Sequence, residues 1–282
     1  MTTIYLLDRA TQLVSEEIPP AKKALIWLYK ESKIGKCVCF LLARSSFLSW
    51  LYAQFQNLSI SKASIMPFIE KYRINTEEFL ENPHTFSNFS KFFERHLKPE
   101  ARPIGPGFIS PADGRLEIVN PSHFDVKGDT FDLDKLVKDR NVADRFRDGH
   151  IVKIRLAPDD YHRLHAPLDG IVQKITNLSG VLYSVSPIAL RENIKILHEN
   201  KRTLIDFGDY AMVLVGATFV GSIHLDIKEG NSVQKGDEIA YFSFGGSMCL
   251  LLLKKDFSLD KDLYFSGGEV RVKMGEQIAN KS

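Results

Sequence analysis

The stretch "YFSFGGSMCLLLL", residues 241–253, decides the fold class. It reads as one buried β-strand interrupted in the middle. Alternation of period two at Tyr241 and Ser243 gives way to Gly245-Gly246-Ser247, and an apolar run resumes from Met248 to Leu253. Glycine inside a strand removes side-chain packing and marks a bulge or a close backbone approach. A serine placed after such a flexible backbone is a candidate nucleophile, although a hydroxyl is weak until a base takes its proton. Its nearest electrophile is its own preceding carbonyl. On the tripeptide alone the simpler reading, a glycine bulge with an incidental serine, takes precedence.

The same texture extends on both sides of this strand. From residue 101 onward, short Val/Ile/Leu-rich segments alternate with turns at Pro111-Ala112-Asp113-Gly114, Pro167-Leu168-Asp169-Gly170, Lys228-Glu229-Gly230-Asn231 and Lys235-Gly236-Asp237-Glu238. Strands at that spacing predict a mainly-β core of barrel or sandwich type, with helical or irregular insertions over 137–146 and 188–202. Residues 1–100 read as helices. The expected class is therefore α+β, with a helical N-terminal region (1–100) ahead of a β-rich catalytic domain (101–282).

Composition bounds the rest. The chain has 282 residues, 44% hydrophobic and 26% charged, with a net charge of +2. That charge is too small to point to nucleic acid. Cys37, Cys39 and Cys249 form neither a metal spacing nor a disulfide framework, which favours a reducing compartment. The N-terminus lacks the pattern of a secretory signal. No apolar run reaches the roughly 18 residues that a spanning helix needs. Between residues 21 and 54, however, Trp27, Phe40, Leu41 and Trp50 are interleaved with Lys22, Lys23, Lys30, Lys33, Lys36 and Arg44 against a single acid, Glu31. Such a segment suits a helix in a lipid headgroup layer, and equally a packed helical subdomain with a solvated basic face.

Two further constellations carry chemistry. In "RLAPDDYHRLHAPLDG" (155–170), His162 and His165 sit between Pro158 and Pro167, which disfavour a regular helix and fix a rigid turn. Imidazoles held on such a loop suit proton transfer; a structural pair is the alternative, and a zinc pair lacks a convincing third ligand, so no metal is expected. In "SPADGRL" (110–116), Asp113 reads as a turn residue, or as a carboxylate that orients a histidine.

In this order the motifs resemble the phosphatidylserine decarboxylase family, in its variety with a doubled glycine before the serine. The likeness runs from about residue 60 to 255. It is carried by "FSKFFERHLKPEARPI" (89–104), "SPADGRL", "VKGDTFDLDKLV" (126–137), "FRDGHIVKIRLAPDDYHRLHAPLDG" (146–170), "GVLYSVSP" (180–187), "MVLVGATFVGSI" (212–223) and "VQKGDEIAYFSFGGSM" (233–248). Met248 departs from the Thr or Ser usual after the family's processing serine.

The resemblance implies a proenzyme that cleaves itself between Gly246 and Ser247 into a large chain (1–246) and a small chain (247–282) that stay associated. Ser247 would become a covalent pyruvoyl group, the cofactor that forms a Schiff base with the substrate. His165, oriented by Asp113, would serve processing, and His162 substrate positioning and proton transfer. The implied reaction converts phosphatidylserine to phosphatidylethanolamine and CO2. The implied location is peripheral, on the cytoplasmic side of the cell membrane, with association into a homo-oligomer left open and no nucleic acid partner. Rival readings are an unprocessed lipid-binding relative, a zinc hydrolase using His162 and His165, and a biotinyl- or lipoyl-type carrier module built on "IKEGNSVQKGDEIAYF" (227–242).

Overall fold

The computed structural model describes residues 3–19, 21–45, 51, 54–119, 125–126, 129–217, 223–243 and 247–281, with 125–126 and 129–130 described by backbone alone. Its frame is a nine-stranded sheet. In chain order the strands are β1 (Ile4–Asp8), β2 (Val14–Glu17), β3 (Gly114–Val119), β4 (His150–Leu156), β5 (Lys174–Leu178), β6 (Arg202–Asp206), β7 (Tyr210–Val215), β8 (Ser247–Leu253) and β9 (Gly268–Val272). Their spatial order is β5-β6-β7-β8-β4-β3-β9-β1-β2. Every pairing is antiparallel except β9 with β1.

The apolar run after the glycines is a central strand, β8, and both its faces are covered. Cys249, Leu251 and Leu253 enter one core, while Met248, Leu250 and Leu252 enter a second on the opposite face. Neighbouring β7 divides in the same way, Tyr210, Met212 and Leu214 against Ala211, Val213 and Val215. Period-two alternation of side chains makes this partition, so a continuous apolar sequence is what a strand between two cores requires. Each buried leucine contributes roughly 2 kcal/mol of burial free energy.

The first core is closed by three small sheets. One joins Arg163–His165, Glu238–Phe242 and Ile223–Leu225; the others pair Gly170–Ile171 with Ser232–Val233, and Gln277–Lys281 with Phe108–Ile109 and Phe257–Leu259. The second core is covered by helices Leu133–Val137, Arg140–Phe146, Pro187–Leu190 and Ile196–Glu199. The architecture is α+β with a sandwich-like core. The large sheet stays open, with β5 and β2 at its edges.

The N-terminal end differs from the expectation of a helical region over 1–100. Its first segments are strands, and β1 lies parallel to β9 near the far end of the chain. Gly268 permits that approach: a Cβ there would stand 2.1 Å from the Tyr5 carbonyl oxygen. Helices begin only at Lys22, with Lys22–Ile26, a π-helical turn Trp27–Glu31, and Lys33–Arg44. Helices Ile65–Tyr72 and Phe89–Phe93 gather a separate aromatic cluster of Phe79, Phe86, Phe89, Phe92 and Phe93.

The sheet also curls. Glu17 on β2 forms ion pairs with Arg115 on β3 and Arg155 on β4, although β1 and β9 separate β2 from β3 in the hydrogen-bonded order. The second face of β3, β4 and β9 is thereby lined with charge. Arg155 and Lys153 share Glu269, Lys153 pairs Glu117, and all of it lies under the returning N-terminal hairpin.

Candidate functional site

Ser247 opens β8 opposite Leu156, the last residue of β4. It is fully buried, and among the described residues its Oγ has no hydrogen-bond partner. Alternation places it on the face of Cys249 and Leu251, the face closed by the small sheet that carries His165. A hydroxyl withdrawn from water and left unpaired costs about 1–3 kcal/mol, and such atoms cluster where chemistry is done. Gly246, the other half of the expected cleavage site, lies outside the described residues, as does Gly245.

Two chain segments meet beside this serine. Residues 150–156 and 247–253 pair antiparallel in the large sheet, and residues 163–165 and 238–241 pair antiparallel in the small one. The amide of Phe242 also donates to the His162 carbonyl at 3.0 Å. The two chain segments are thus paired in both sheets, and residues 157–161 cross from the large sheet to the small one. Ser247 and His162 both stand at that joint.

His162 is fully buried. Its Nδ1 is 3.0 Å from the Asp160 carbonyl oxygen, which can only accept, so Nδ1 carries the proton. Nε2 is then a bare lone pair, and it has no partner among the described residues. The ring lies against Phe93, centroids 3.9 Å apart. Burial pushes its pKa down to about 3, with Arg95 and Arg115 acting in the same direction against the hydrogen bond to Asp160. His165 is built the same way: Nδ1 donates to the Gly236 carbonyl at 2.8 Å, and Nε2 accepts from the Tyr161 hydroxyl at 3.1 Å. Burial lowers its pKa too, while the nearby Glu238 and Asp113 carboxylates oppose that shift. Both imidazoles are neutral bases near pH 7, with the proton on Nδ1.

Asp113 sits in the turn before β3, and the His165 amide donates to the Pro111 carbonyl of the same turn at 2.8 Å. The expected hydrogen bond from Asp113 to His165 is not formed. Arg102 takes both carboxylate oxygens, at 2.8 and 2.5 Å, and the Met274 amide donates to Oδ1 at 2.8 Å. Arg102 also pairs with Glu78 at 2.8 Å. Asp113 acts on His165 through its charge, and the orienting bonds come from Gly236 and Tyr161. Sequence reading missed Arg102 and Gly236 in this role. Arg102 stands in the "KPEARPI" segment, where an arginine reads as a surface residue until a buried carboxylate is placed beside it.

A cavity of about 660 Å³, lined among others by Glu117, His150 and Tyr264, stands at the His150 end of β4, opposite to the end that faces Ser247.

The model of the phosphatidylserine decarboxylase family matches residues 89–280. Over nearly its whole length the chain is also similar to curated phosphatidylserine decarboxylase proenzymes. That of Chlamydia muridarum (strain MoPn / Nigg) is 37% identical over 291 residues, covering 98% of this chain and 96% of the relative. That of Chlamydia caviae is 37% identical over 294 residues, 99% and 98% of the two chains. That of Fusobacterium nucleatum subsp. nucleatum is 36% identical, with the same coverage. A buried serine with no partner among the described residues at the head of a central strand, two neutral histidines on the adjoining loop and small-sheet strand, and these similarities agree: the chain belongs to the phosphatidylserine decarboxylase family.

Proposed function

We propose that the chain is made as a proenzyme, that Ser247 is converted into a pyruvoyl group, and that the mature protein decarboxylates phosphatidylserine to phosphatidylethanolamine and CO2. The observation that carries this reading is the pair of buried atoms at one joint, Ser247 Oγ and His162 Nε2, that have no partner among the described residues. The site fits the group: among the described residues no hydrogen bond has to break to free Oγ, and the surrounding strand is buried. When present, a pyruvoyl carbonyl supplies an electrophile for the substrate amine and a sink for the electron pair left by CO2.

In processing, His165 takes the Ser247 hydroxyl proton through Nε2, and Oγ attacks the Gly246 carbonyl carbon. His165 passes that proton to the Ser247 nitrogen as the C–N bond breaks and the ester forms, which leaves Nε2 free to take the Cα proton. Removal of the Ser247 Cα proton then breaks the Cβ–Oγ bond, so Gly246 leaves as a carboxylate and residue 247 becomes dehydroalanine. Addition of water and loss of ammonia give the pyruvoyl terminus. Tyr161 must rotate away from His165 Nε2 first, since the two are hydrogen-bonded at rest. Asp113 favours the protonated His165 by its charge. In decarboxylation His162, whose Nε2 lone pair has no partner among the described residues, positions the headgroup, takes the proton that the substrate ammonium sheds and returns it to Cα.

The helices over 22–44 serve as a peripheral docking surface on the cytoplasmic side of the membrane. Ile34, Cys37, Phe40 and Leu41 are exposed on helix Lys33–Arg44, while Gly35, Cys39 and Ala43 face the protein. Exposed lysines at 30, 33 and 36 flank that apolar row. Trp50, the second tryptophan of this segment, lies outside the described residues. Among the described residues no helix is long and apolar enough to cross a membrane.

Intact denaturing mass spectrometry tests the reading. The expected result is two chains divided after Gly246, the smaller lighter by one ammonia than its serine-started sequence, and CO2 release from phosphatidylserine in mixed micelles. Ser247→Ala should remain a single chain and release none. A wild-type chain that stays at 32.0 kDa and inactive would overturn it.

A further inference from the structure

One buried ionic cluster adjoins His162 and takes no part in the steps above. Its centre is Asp160, in the turn that links β4 to the His162 loop. The Asp160 carboxylate accepts the Ala157 amide at 2.7 Å and pairs with Nη1 of Arg115. Arg115 is itself buried on β3, two residues after Asp113. It reaches Asp159 at 3.5 Å and, through Nε, Glu17 on β2 at 3.2 Å.

The other side of the same residue holds the histidine. The Asp160 carbonyl accepts His162 Nδ1–H at 3.0 Å and Arg95 Nη2–H at 3.1 Å, and Arg95 Nη2 also reaches the Asp159 carbonyl at 3.2 Å. Arg95 is buried, with its guanidinium over the rings of Phe79 and Phe92 at 4.9 and 5.1 Å. Two arginines from different elements therefore grip one dipeptide, Arg115 by its carboxylates and Arg95 by its carbonyls. That dipeptide supplies the hydrogen bond that the His162 ring makes among the described residues.

We propose that Asp160, anchored by Arg115, is a positioning residue that fixes the tautomer and orientation of His162, keeping the proton on Nδ1 and the Nε2 lone pair toward the reacting centre. The proposal rests on the role given to His162 in the reading above. A carbonyl can hold a ring nitrogen in this way only if the turn carrying it is rigid. The carboxylate makes it rigid by closing the turn onto Ala157 and tying it to a strand of the main sheet. Without that tie the imidazole loses its fixed acceptor, and the apolar Phe93 ring 3.9 Å away does not distinguish one nitrogen from the other. A catalytic group displaced by about 1 Å loses on the order of 10²-fold in rate.

Asp160→Asn tests this, since it keeps the shape and discards the charge that Arg115 holds. Division after Gly246 should proceed and KM should stay within about twofold, while kcat falls about 10- to 100-fold. In resting protein labelled with ¹⁵N-histidine, His162 should change from a single Nδ1–H tautomer to a mixture, and should begin to titrate between pH 5 and 8 as water enters. Arg115→Lys should stay nearer to wild type than Arg115→Met in both kcat and the ¹⁵N spectrum, and this pair decides the matter if Asp160→Asn does not fold. Wild-type kcat and an unchanged His162 spectrum in the variants would overturn the proposal, as would a rise in KM with kcat preserved. The spectrum is read without substrate or turnover. An inactive wild-type protein would therefore sink the decarboxylase reading, while the tautomer still decides the positioning role.

Discussion

Burying a neutral histidine sets how this protein meets acid. His162 holds its pKa near 3 through burial, against an ordinary value of 6.5. The unfolded chain therefore binds a proton that the folded chain refuses over that interval. The stability that follows is fully present above pH 6.5 and is lost as pH falls from 6.5 toward 3, at roughly 1.4 kcal/mol per pH unit. His165 shifts in the same direction. In the single-chain Ser247→Ala background, the urea midpoint should decline from about pH 6.5, well above the carboxylate range. Adding His162→Asn should reduce that slope by one proton, and equal slopes would contradict the buried neutral imidazole. The four proposed site residues were legible as polar groups breaking an apolar or turn pattern. Their partners were not: Tyr161 was visible only as a neighbour, and Arg95, Arg102 and Arg115 look like solvent-facing charges. Only tertiary packing shows that each meets a buried acceptor.

At the scale of elements, the curled sheet depends on charges that a strand's alternation ordinarily sends to water. Arg155 and Glu269 pair at 2.5 Å, Lys153 reaches the same carboxylate at 3.3 Å, and Arg155 continues to Glu17 at 2.7 Å. Burial alone would raise the Glu269 pKa, but Arg155 and Lys153 bring it down to about 2 from an ordinary 4.5. Its contribution is therefore present above pH 4.5 and lost as pH falls toward 2. Glu269→Gln leaves two buried cations short of a counter-charge and should cost about 3 kcal/mol at pH 7. The loss should show as a lower thermal midpoint and shrink below pH 4; an unchanged midpoint at neutral pH would mean that Glu117 and Glu17 suffice. The central strands β4, β7 and β8 could be read from sequence because both their faces are filled. The strands β1 and β2 could not. They are short, half-exposed and followed by helices, and the partner of β1 lies more than 250 residues away in β9.

Across the whole molecule, the proposed docking surface is fastened to the second core through a few bonds. The Tyr29 hydroxyl accepts the Ser184 amide at 2.8 Å, and the Leu182 amide donates to the Ala43 carbonyl at 2.8 Å. Tyr29 and Cys39 also enter the second core, which lines the back of β8. The net charge of +2 hides this asymmetry, since the cations that matter lie in one helical stretch with a row of exposed apolar groups. Truncation from the N-terminus is a poor test of that surface. It removes β1, β2 and Glu17, and with them the edge of the sheet and one anchor of Arg115. Substitution on the exposed face separates the two roles. Lys33→Glu with Lys36→Glu replaces attraction to anionic lipid with repulsion, and each lysine near such a surface is worth about 1 kcal/mol, so at least about 30-fold of affinity should go. Leu41→Ser should remove an apolar anchor without touching the buried stripe at Gly35, Cys39 and Ala43. Flotation with vesicles of phosphatidylserine and phosphatidylcholine measures both effects, and division after Gly246, read by mass, reports that the fold is intact. Binding that survives all three substitutions, in chains that still divide, would move the docking surface away from this helix.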